Sequence, residues 1–279
     1  MDIKKIFAFA KNEFIYGGHL FAFAASGVIL STGIIGKFEV DPVFLILIYF
    51  IYYLIYLYDH SSGADADAMT NPIRAEYLKG KIEKEKYVFA ISFLVIAAIL
   101  FYKNSTFITV ASILTLALGM LYGKFFKNIT VRLVAFKNFF VAAFWGIIVL
   151  YAALCHGATL GYSIFSFSIF VFVKMLAIQA FFDIRDTEGD RLKKLLTFSV
   201  VYGPEKTIKI IRFLAILSCA IILGAVYAGY WKTSFVLLIL SSVYSMVYIG
   251  KYYNKNSYCY LWAAGELLVW TFLILLANL

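Results

Sequence analysis

Long apolar runs alternate with short polar segments along this chain. About nine of the runs approach the roughly 20 residues that an α-helix needs to cross the hydrocarbon of a bilayer. They lie at about 17–36, 42–58, 86–102, 105–122, 134–154, 160–180, 208–230, 233–250 and 258–277. The pattern therefore predicts an all-α, polytopic membrane protein with about nine transmembrane helices around a central cavity.

The composition supports this fold class. Hydrophobic residues make up 63% of the 279 residues and charged residues only 15%, whereas soluble domains carry about 25% charged residues. A soluble protein with a very large core could not cover so many apolar runs. Cys155, Cys219 and Cys259 are widely separated and lack the paired spacing of a zinc or redox site.

Two acidic segments interrupt the apolar pattern. The first acidic cluster, residues 58–67, follows the second run, and the second acidic cluster, residues 183–190, follows the sixth. Together they hold seven of the chain's 16 acidic residues: Asp59, Asp65, Asp67, Asp183, Asp186, Glu188 and Asp190. Carboxylates beside membrane-length apolar stretches are costly unless they bind a cation. A hard divalent cation such as Mg²⁺ takes oxygen ligands and often accompanies a phosphate, so the clusters indicate diphosphate chemistry at a membrane.

Within each cluster the carboxylates follow the period of a helix. If the helix of the second run continues past the bilayer, positions 59, 63 and 67 share one face. Asp183, Asp186 and Asp190 also share a face, at intervals of three and four residues. Two such rows could hold Mg²⁺ ions that bridge the oxygens of a diphosphate. The alternative, a pair of solvated cytoplasmic loops, does not explain why both clusters keep the helical phase.

The interval between the clusters suggests an internal duplication. Four predicted spans separate them, so both open on the same side of the membrane. We expect a single transmembrane domain over residues 1–279, with possible four-helix pseudo-repeats at about 17–130 and 131–250 and one final helix.

The basic residues predict the orientation of the chain. Of the 25 Lys and Arg residues, only Lys37, Lys103 and Lys232 fall on the side opposite the N-terminus, and Lys174 falls within a span. Because basic residues concentrate in cytoplasmic segments, we expect the N-terminus and both acidic clusters to be cytoplasmic. The net charge of +9 then reflects this topology and contacts with anionic membrane lipids, so binding of nucleic acid is not expected.

Two charged residues lie deep inside predicted spans, away from the span ends. Lys174 precedes Asp183 by two to three turns, and Glu266 lies in the last span. A charge at this depth lines a functional cavity or makes a polar contact between helices. The sequence leaves both interpretations open.

The second acidic cluster resembles a motif of a known family. The run Asp183-Ile-Arg-Asp186-Thr-Glu-Gly-Asp190-Arg191, followed by Thr197-Phe-Ser-Val-Val-Tyr-Gly203, is very similar to the second aspartate motif of the UbiA superfamily of intramembrane prenyltransferases. There the pattern is D-x-x-D-x-x-G-D-R, a short spacer, and then T-x-x-V-x-x-G. The resemblance extends over nearly the whole chain and its predicted spans.

The first acidic cluster resembles the family's N-D-x-x-D-x-x-x-D motif with P-x-R downstream. Aligning on Asn71-Pro72-Ile73-Arg74 places Asp59 at the family's Asn, Asp67 at its last Asp and Arg74 at its Arg. Between the clusters, Tyr122-Gly-Lys124-Phe-Phe-Lys127 resembles the family's Y-x-x-x-x-K, and Asn138 falls at its following Asn.

The first cluster departs from the family pattern at three positions. Gly63 stands where the central aspartate belongs, His60 replaces the Asp after the leading Asn, and Asp65 is an extra carboxylate out of phase. The first metal site is then weaker, or uses Asp65 or Asp59 instead, or is specialised for another substrate. The family's basic residue near the start of the first span is replaced by Gly17-Gly18-His19.

The resemblance implies a specific reaction. It implies transfer of an isoprenyl group from an isoprenoid diphosphate to a lipophilic or aromatic acceptor, by Mg²⁺-assisted ionisation with release of diphosphate. The implied metal ligands, which are also the implied catalytic carboxylates apart from Asp65, are Asp59, Asp65, Asp67, Asp183, Asp186 and Asp190. The implied diphosphate-binding residues are Arg74, Tyr122, Lys124, Lys127, Asn138 and Arg191.

Two other functions fit the same residues. A terpene cyclase of the UbiA type would ionise the same substrate but close the allylic cation internally. A non-catalytic carrier or transporter of isoprenoid lipids would use the clusters only to hold a metal–diphosphate headgroup, and Gly63 is the feature that favours it. The identity of the acceptor, the isoprenoid length and the oligomeric state are not encoded in any motif.

Overall fold

The structure is a computed structural model that describes residues 12–70, 76–77, 82–253 and 258–279. For residues 60–70, 82–85 and 124 it describes the backbone alone. The described residues form helices, turns and connections, and they contain no β-strand.

Nine α-helices and two short 3₁₀ segments make up most of this described part of the chain, and residues 12–16 and 76–77 are also helical. The helices are α1 (His19–Gly36), α2 (Pro42–Thr70), α3 (Ile82–Lys103), α4 (Thr106–Lys124), α5 (Phe136–Cys155), α6 (Tyr162–Leu192), α7 (Phe198–Tyr227), α8 (Ile239–Tyr253) and α9 (Cys259–Asn278). The 3₁₀ segments are Phe126–Val131 and Thr233–Leu238. Each α-helix, α8 together with the 3₁₀ segment before it, is long and apolar enough to cross a membrane. The predicted all-α membrane class with nine spans is confirmed.

Two helices extend further than the apolar pattern predicts. Helix α6 continues to Leu192, well past the predicted end near residue 180, and α7 begins at Phe198 rather than near 208. Hydropathy marks only the part of a helix that matches hydrocarbon, whereas backbone hydrogen bonding continues into the polar residues that follow. The second acidic cluster therefore forms the last turns of α6. In the same way α2 carries the backbone of the first cluster as far as Thr70.

Helix α7 contains a sharp kink near its start. Gly203 has φ 79° and ψ 162°, a conformation that a residue with a Cβ rarely adopts, and Pro204 follows it. The Thr207 hydroxyl donates a 2.8 Å hydrogen bond to the Gly203 carbonyl oxygen. The kink separates the first turn of α7, which contacts the second acidic cluster, from the long apolar remainder of the helix.

The chain divides into two compact units. The first comprises the described residues of Met1–Ser26 together with Pro42–Phe126, and within it α2 packs against α3 and α4. Helices α2 and α4 approach closely at Gly119, where an added Cβ would clash with the side chain of Ile55. The single domain and its pseudo-repeats remain a prediction.

The second unit comprises Gly27–Asp41 and Lys127–Leu279. Helix α6 packs against α5 and α7, and α8 packs against α9. Where α5 and α6 meet, the Ser168 hydroxyl donates a 2.8 Å hydrogen bond to the carbonyl oxygen of Gly146, a residue without a side chain to obstruct the approach. This packing brings the start of α5 beside the end of α6.

A polar network joins three helices inside the second unit. The ammonium of Lys174 on α6 pairs with the carboxylate of Glu266 on α9, and both side chains are fully buried. Ser245 on α8 accepts a 3.0 Å hydrogen bond from Lys174 and donates one of the same length to Glu266 Oε1. Of the two interpretations that the sequence left open, the structure shows the polar contact between helices.

Candidate functional site

The second acidic cluster lies where the end of α6 meets the first turn of α5. Lys137, on α5, points its ammonium between two carboxylates of α6. Its Nζ is 2.8 Å from Asp183 Oδ1 and 2.7 Å from Asp190 Oδ2, and all three side chains are buried. One ammonium therefore bridges two carboxylates that lie two helical turns apart on α6.

Asn138 completes the contacts of Asp183. Its Nδ2 donates a 2.7 Å hydrogen bond to Asp183 Oδ2, so both carboxylate oxygens of Asp183 are bound. The amide oxygen of Asn138 is buried and has no hydrogen-bond partner within the part of the chain that the structure describes. A buried acceptor of this kind normally has a partner, which makes it a candidate ligand atom beside the carboxylates.

The backbone around residue 135 fixes the position of Lys137 and Asn138. Ala135 adopts a left-handed conformation, with φ 56°, and its N–H donates a 2.7 Å hydrogen bond to the Leu196 carbonyl oxygen. The Leu196 N–H in turn donates to the Thr130 carbonyl oxygen at 2.9 Å. The Thr130 hydroxyl accepts from the Lys137 N–H at 3.1 Å. The segment before α5 is thereby tied to the connection between α6 and α7.

The main-chain oxygen of Asp183 is anchored from two sides. Ser199, in the first turn of α7, donates its hydroxyl hydrogen to this oxygen at 2.7 Å, and Thr187 donates to the same oxygen at 2.9 Å. Both hydroxyl groups are buried. They hold the turn of α6 that carries Asp183 against the start of α7.

Asp186 has a different partner from the other two aspartates. Arg185 binds it with a fork, Nε to Oδ1 at 2.7 Å and Nη2 to Oδ2 at 2.9 Å, and the guanidinium carbon lies 5.2 Å from the centre of the Tyr260 ring. The structure thus brings Asp183 and Asp190 together at Lys137, and it pairs Asp186 with the neighbouring arginine. Among the described residues, no group of three or more His, Cys, Asp and Glu is close enough to hold a metal ion.

The donor set still fits Mg²⁺. This cation is commonly held by one or two carboxylates, with waters and substrate phosphate filling its other positions. Asp183 and Asp190 direct one oxygen each at a common point, and the Asn138 amide oxygen lies on the residue that binds Asp183. Two carboxylates and one amide oxygen are the ligand types that a hard cation prefers.

The remaining predicted residues of the second unit lie outside this buried group. Arg191 is exposed on the last turn of α6 and donates a 2.7 Å hydrogen bond to Glu188, which is also exposed. Lys127 is half-buried in the 3₁₀ segment before α5. Their predicted contacts with a diphosphate remain predictions.

The predicted residues of the first unit are described only in part. Asp59 is half-buried on α2, and Tyr122 is half-buried on α4. Because α2 is continuous to Thr70, positions 59, 63 and 67 recur at one-turn intervals along it. The side chains of Asp65, Asp67 and Lys124 and the whole of Arg74 lie outside the described residues.

His19 stands where the resembled family has a basic residue. Its ring stacks on Tyr53 with centroids 4.4 Å apart, and its Nδ1 lies 2.5 Å from the Tyr49 hydroxyl. Its Nε2 lies 3.3 Å from Oε1 of Glu13, whose other carboxylate oxygen accepts a hydrogen bond from Tyr77 at 2.5 Å. These contacts link the start of α1 to α2, to Glu13 before α1 and, through Glu13, to Tyr77 after α2, all within the first unit.

Lys137 is the residue of this site that the sequence analysis missed. In the sequence, Lys137 is one of the basic residues that predict the orientation of the chain. Its position next to Asn138, at the edge of an apolar run, was the one feature that could have indicated a role in the site. Nothing in the local sequence links position 137 to positions 183 and 190.

Comparison with known proteins agrees with this architecture. A family model described as the UbiA prenyltransferase family matches residues 20–273, whereas no curated protein matches. Among solved structures, an apo UbiA homologue from Aeropyrum pernix K1 is similar with a TM-score of 0.70 at 14% identity, over 92% of this chain and 98% of that one. A digeranylgeranylglyceryl phosphate synthase is similar with a TM-score of 0.58 at 16% identity, over 96% and 97%.

Proposed function

The chain belongs to the UbiA prenyltransferase family, and on this premise we propose that it transfers an isoprenyl group from an isoprenoid diphosphate to a lipophilic or aromatic acceptor. The observation that supports this most is the buried group formed by Asp183, Asp190, Lys137 and Asn138 at the end of a membrane-length helix. It joins ligands for a cation to a basic side chain at the end of an apolar helix, which is what ionisation of a lipid diphosphate requires.

In this proposal the allylic C–O bond breaks and its electron pair leaves on the diphosphate. A nucleophilic atom of the acceptor then bonds to the allylic carbon and gives up a proton. Mg²⁺, when bound, neutralises charge on the leaving diphosphate. Asp183 and Asp190 would hold that cation, and the amide of Asn138 keeps Asp183 in orientation. Apolar residues around the site exclude water from the carbocation.

Cationic side chains supply the rest of the charge stabilisation. Arg191 suits contact with two phosphate oxygens at once, and Lys127 acts as a point charge. From the sequence resemblance we propose that Asp59, Asp65 and Asp67 are further metal ligands. The same resemblance assigns Asp186 to the metal site and Arg74, Tyr122, Lys124 and Asn138 to the diphosphate. The mouth of the site is proposed to be cytoplasmic, as the distribution of basic residues indicates.

The test is release of diphosphate by the purified protein in lipid nanodiscs with Mg²⁺. Isoprenoid diphosphates of several lengths are supplied with and without a lipid extract that contains acceptors, and the products are identified by mass spectrometry. We expect release that depends on the extract and a prenylated product. A cyclised hydrocarbon formed without the extract would indicate a terpene cyclase, and binding without any release would indicate a carrier.

A matched pair of variants links the activity to the site. Asp183→Asn removes a buried carboxylate that contacts Lys137, whereas Glu188→Gln makes the same change at an exposed position on the same helix. We expect Asp183→Asn to lose at least about a hundredfold in turnover and Glu188→Gln to stay close to the unsubstituted protein. Equal losses in the two variants would argue against this location for the chemistry.

A further inference from the structure

The second acidic cluster is already occupied by the protein's own cation. Lys137 contacts both Asp183 and Asp190, the same carboxylates that the proposed function assigns to Mg²⁺. We propose that Lys137 is an exchangeable counter-ion, so that its ammonium and a divalent cation are alternative occupants of the position between Asp183 and Asp190. This inference rests on the proposed function, because it describes how the same site takes up its metal.

The geometry makes the two occupants mutually exclusive. The ammonium nitrogen lies within 2.8 Å of one oxygen from each carboxylate, and Mg²⁺ would require those oxygens at about 2.1 Å. Two cations that close to the same pair of oxygens would repel each other strongly in a buried site. Entry of the metal therefore requires Lys137 to leave.

The balance of charge favours the exchange. Asp183 and Asp190 carry two negative charges when ionised, and Lys137 supplies one positive charge. These three side chains by themselves therefore sum to one negative charge, and a low-dielectric environment penalises a net charge. A divalent cation in place of the ammonium would neutralise both carboxylates.

An independent observation indicates a cation with a preference for oxygen ligands beside Asp183. The Asn138 amide oxygen is a buried acceptor without a hydrogen-bond partner among the described residues. The same side chain is fixed by its bond to Asp183. Lysine leaves this oxygen unused, whereas a hard cation readily takes an amide oxygen as a ligand.

The side-chain ammonium of Lys137 can move while its backbone stays in place on α5. Its backbone N–H is held by the Thr130 hydroxyl, while the four-carbon stem of lysine rotates freely. The released ammonium would remain attached to the first turn of α5, close to any anion that arrives with the metal. Lys137 is therefore a positioning residue. It holds Asp183 and Asp190 together before the metal binds, and it can contact the anion once the metal has replaced it.

The experiment measures metal binding without substrate. Free Mn²⁺ is quantified by its electron paramagnetic resonance signal during titration of the detergent-purified protein. The variants are Lys137→Gln, which removes the competing charge, and Lys137→Arg, which keeps it. Lys194→Gln is the matched control, since it removes the same charge from the exposed connection after α6.

We expect Lys137→Gln to bind Mn²⁺ about tenfold more tightly than the unsubstituted protein, because a nearby positive charge no longer competes. Lys194→Gln should match the unsubstituted protein, and Lys137→Arg should bind no more tightly than it. Equal or weaker binding by Lys137→Gln, or no binding by any of the proteins, would overturn the proposal.

Thermal unfolding provides a second measurement, because a metal that binds the folded protein raises its Tm. Lys137→Met leaves the two buried carboxylates without their counter-ion, so its Tm should fall in the absence of metal and rise with Mg²⁺ by more than that of the unsubstituted protein. A Lys137→Met protein that gains no more from Mg²⁺, or that fails to fold at every Mg²⁺ concentration, would show that metal cannot take the place of lysine. Neither measurement involves turnover, so a protein that exchanges lysine for metal but releases no diphosphate would reject the proposed enzyme and leave this inference standing.

Discussion

Lys174 and Glu266 neutralise each other completely inside the protein, one from α6 and the other from α9. Their shared partner Ser245 bonds to both, and Trp270 donates a 3.4 Å hydrogen bond to Glu266. Every charge in this network is satisfied by a named partner. The pair and Ser245 therefore join three helices. We expect loss of the pair to lower the stability of the folded protein more than it lowers the activity.

The first prediction is that Lys174→Met destabilises the protein strongly. The substitution leaves the Glu266 carboxylate buried without its cation, which typically costs about 3–5 kcal/mol. Thermal unfolding in detergent should show a marked fall in Tm, and the double variant with Glu266→Gln should recover much of it. Lys232→Met, at an exposed lysine that bonds to Asn278, should change stability by less than about 1 kcal/mol. A double variant as unstable as Lys174→Met alone would contradict this account.

Asn138→Ala is expected to reduce turnover while the protein remains folded. It removes the hydrogen bond that orients Asp183 and deletes the buried amide oxygen beside it. Loss of such an orienting partner typically reduces metal affinity or activity by about 10–100-fold. Asn278→Ala, at the exposed end of α9, serves as the control in the same assay of diphosphate release. An unchanged rate for Asn138→Ala would remove this residue from the site.

Substitution of Gly203 tests the kink in α7. With φ 79° and ψ 162°, this residue adopts a conformation nearly restricted to glycine, so Gly203→Ala should cost about 1–3 kcal/mol. Gly224→Ala is the control on the same helix, because an added Cβ meets nothing within 4 Å at either position. That control should be neutral or stabilising by up to about 1 kcal/mol. The comparison of the two Tm values isolates the effect of backbone conformation. A Gly203→Ala protein with an unchanged Tm would show that the kink does not require glycine at this position.

Gly63→Asp is expected to strengthen the first metal site. Position 63 lies on a continuous helix, one turn from Asp59 and one turn from Asp67, so the new carboxylate would join their row. The Mg²⁺ concentration for half-maximal diphosphate release should fall. Ala64→Asp adds the same charge about 100° further around the helix and should have a smaller effect. A lower rate in Gly63→Asp at all Mg²⁺ concentrations would instead indicate a site remodelled around Asp65 and His60.

The sequence predicts most of the fold because hydrocarbon length is a strong constraint. Nine apolar runs can only be helices in a membrane, and the structure places a helix at each one. The end of α6 and the start of α7 could not be predicted from hydropathy, because residues 183–192 and 198–207 are too polar to count as membrane spans. The spacing of Asp183, Asp186 and Asp190 did predict a helix at the end of α6.

The site was less predictable because it depends on pairing between distant positions. Helical spacing indicates that Asp183 and Asp190 share a face, but Asp186 follows the same spacing and pairs with Arg185. Which carboxylate meets Lys137 depends on how α5 packs against α6, and local sequence does not record that packing. The contacts of Ser199 with the Asp183 backbone depend likewise on the start of α7.

The tie between Ala135, Leu196 and Thr130 has a consequence for biogenesis. The ribosome completes α5 before Asp183, Asp190 and Leu196 exist, so Lys137 enters the bilayer region with none of these partners. The first turn of α5 can therefore take its final position only after α6 has been inserted beside it and residue 196 has been made. The order of synthesis thus makes the docking of this turn a late step, and a nascent chain halted before residue 196 should leave it undocked.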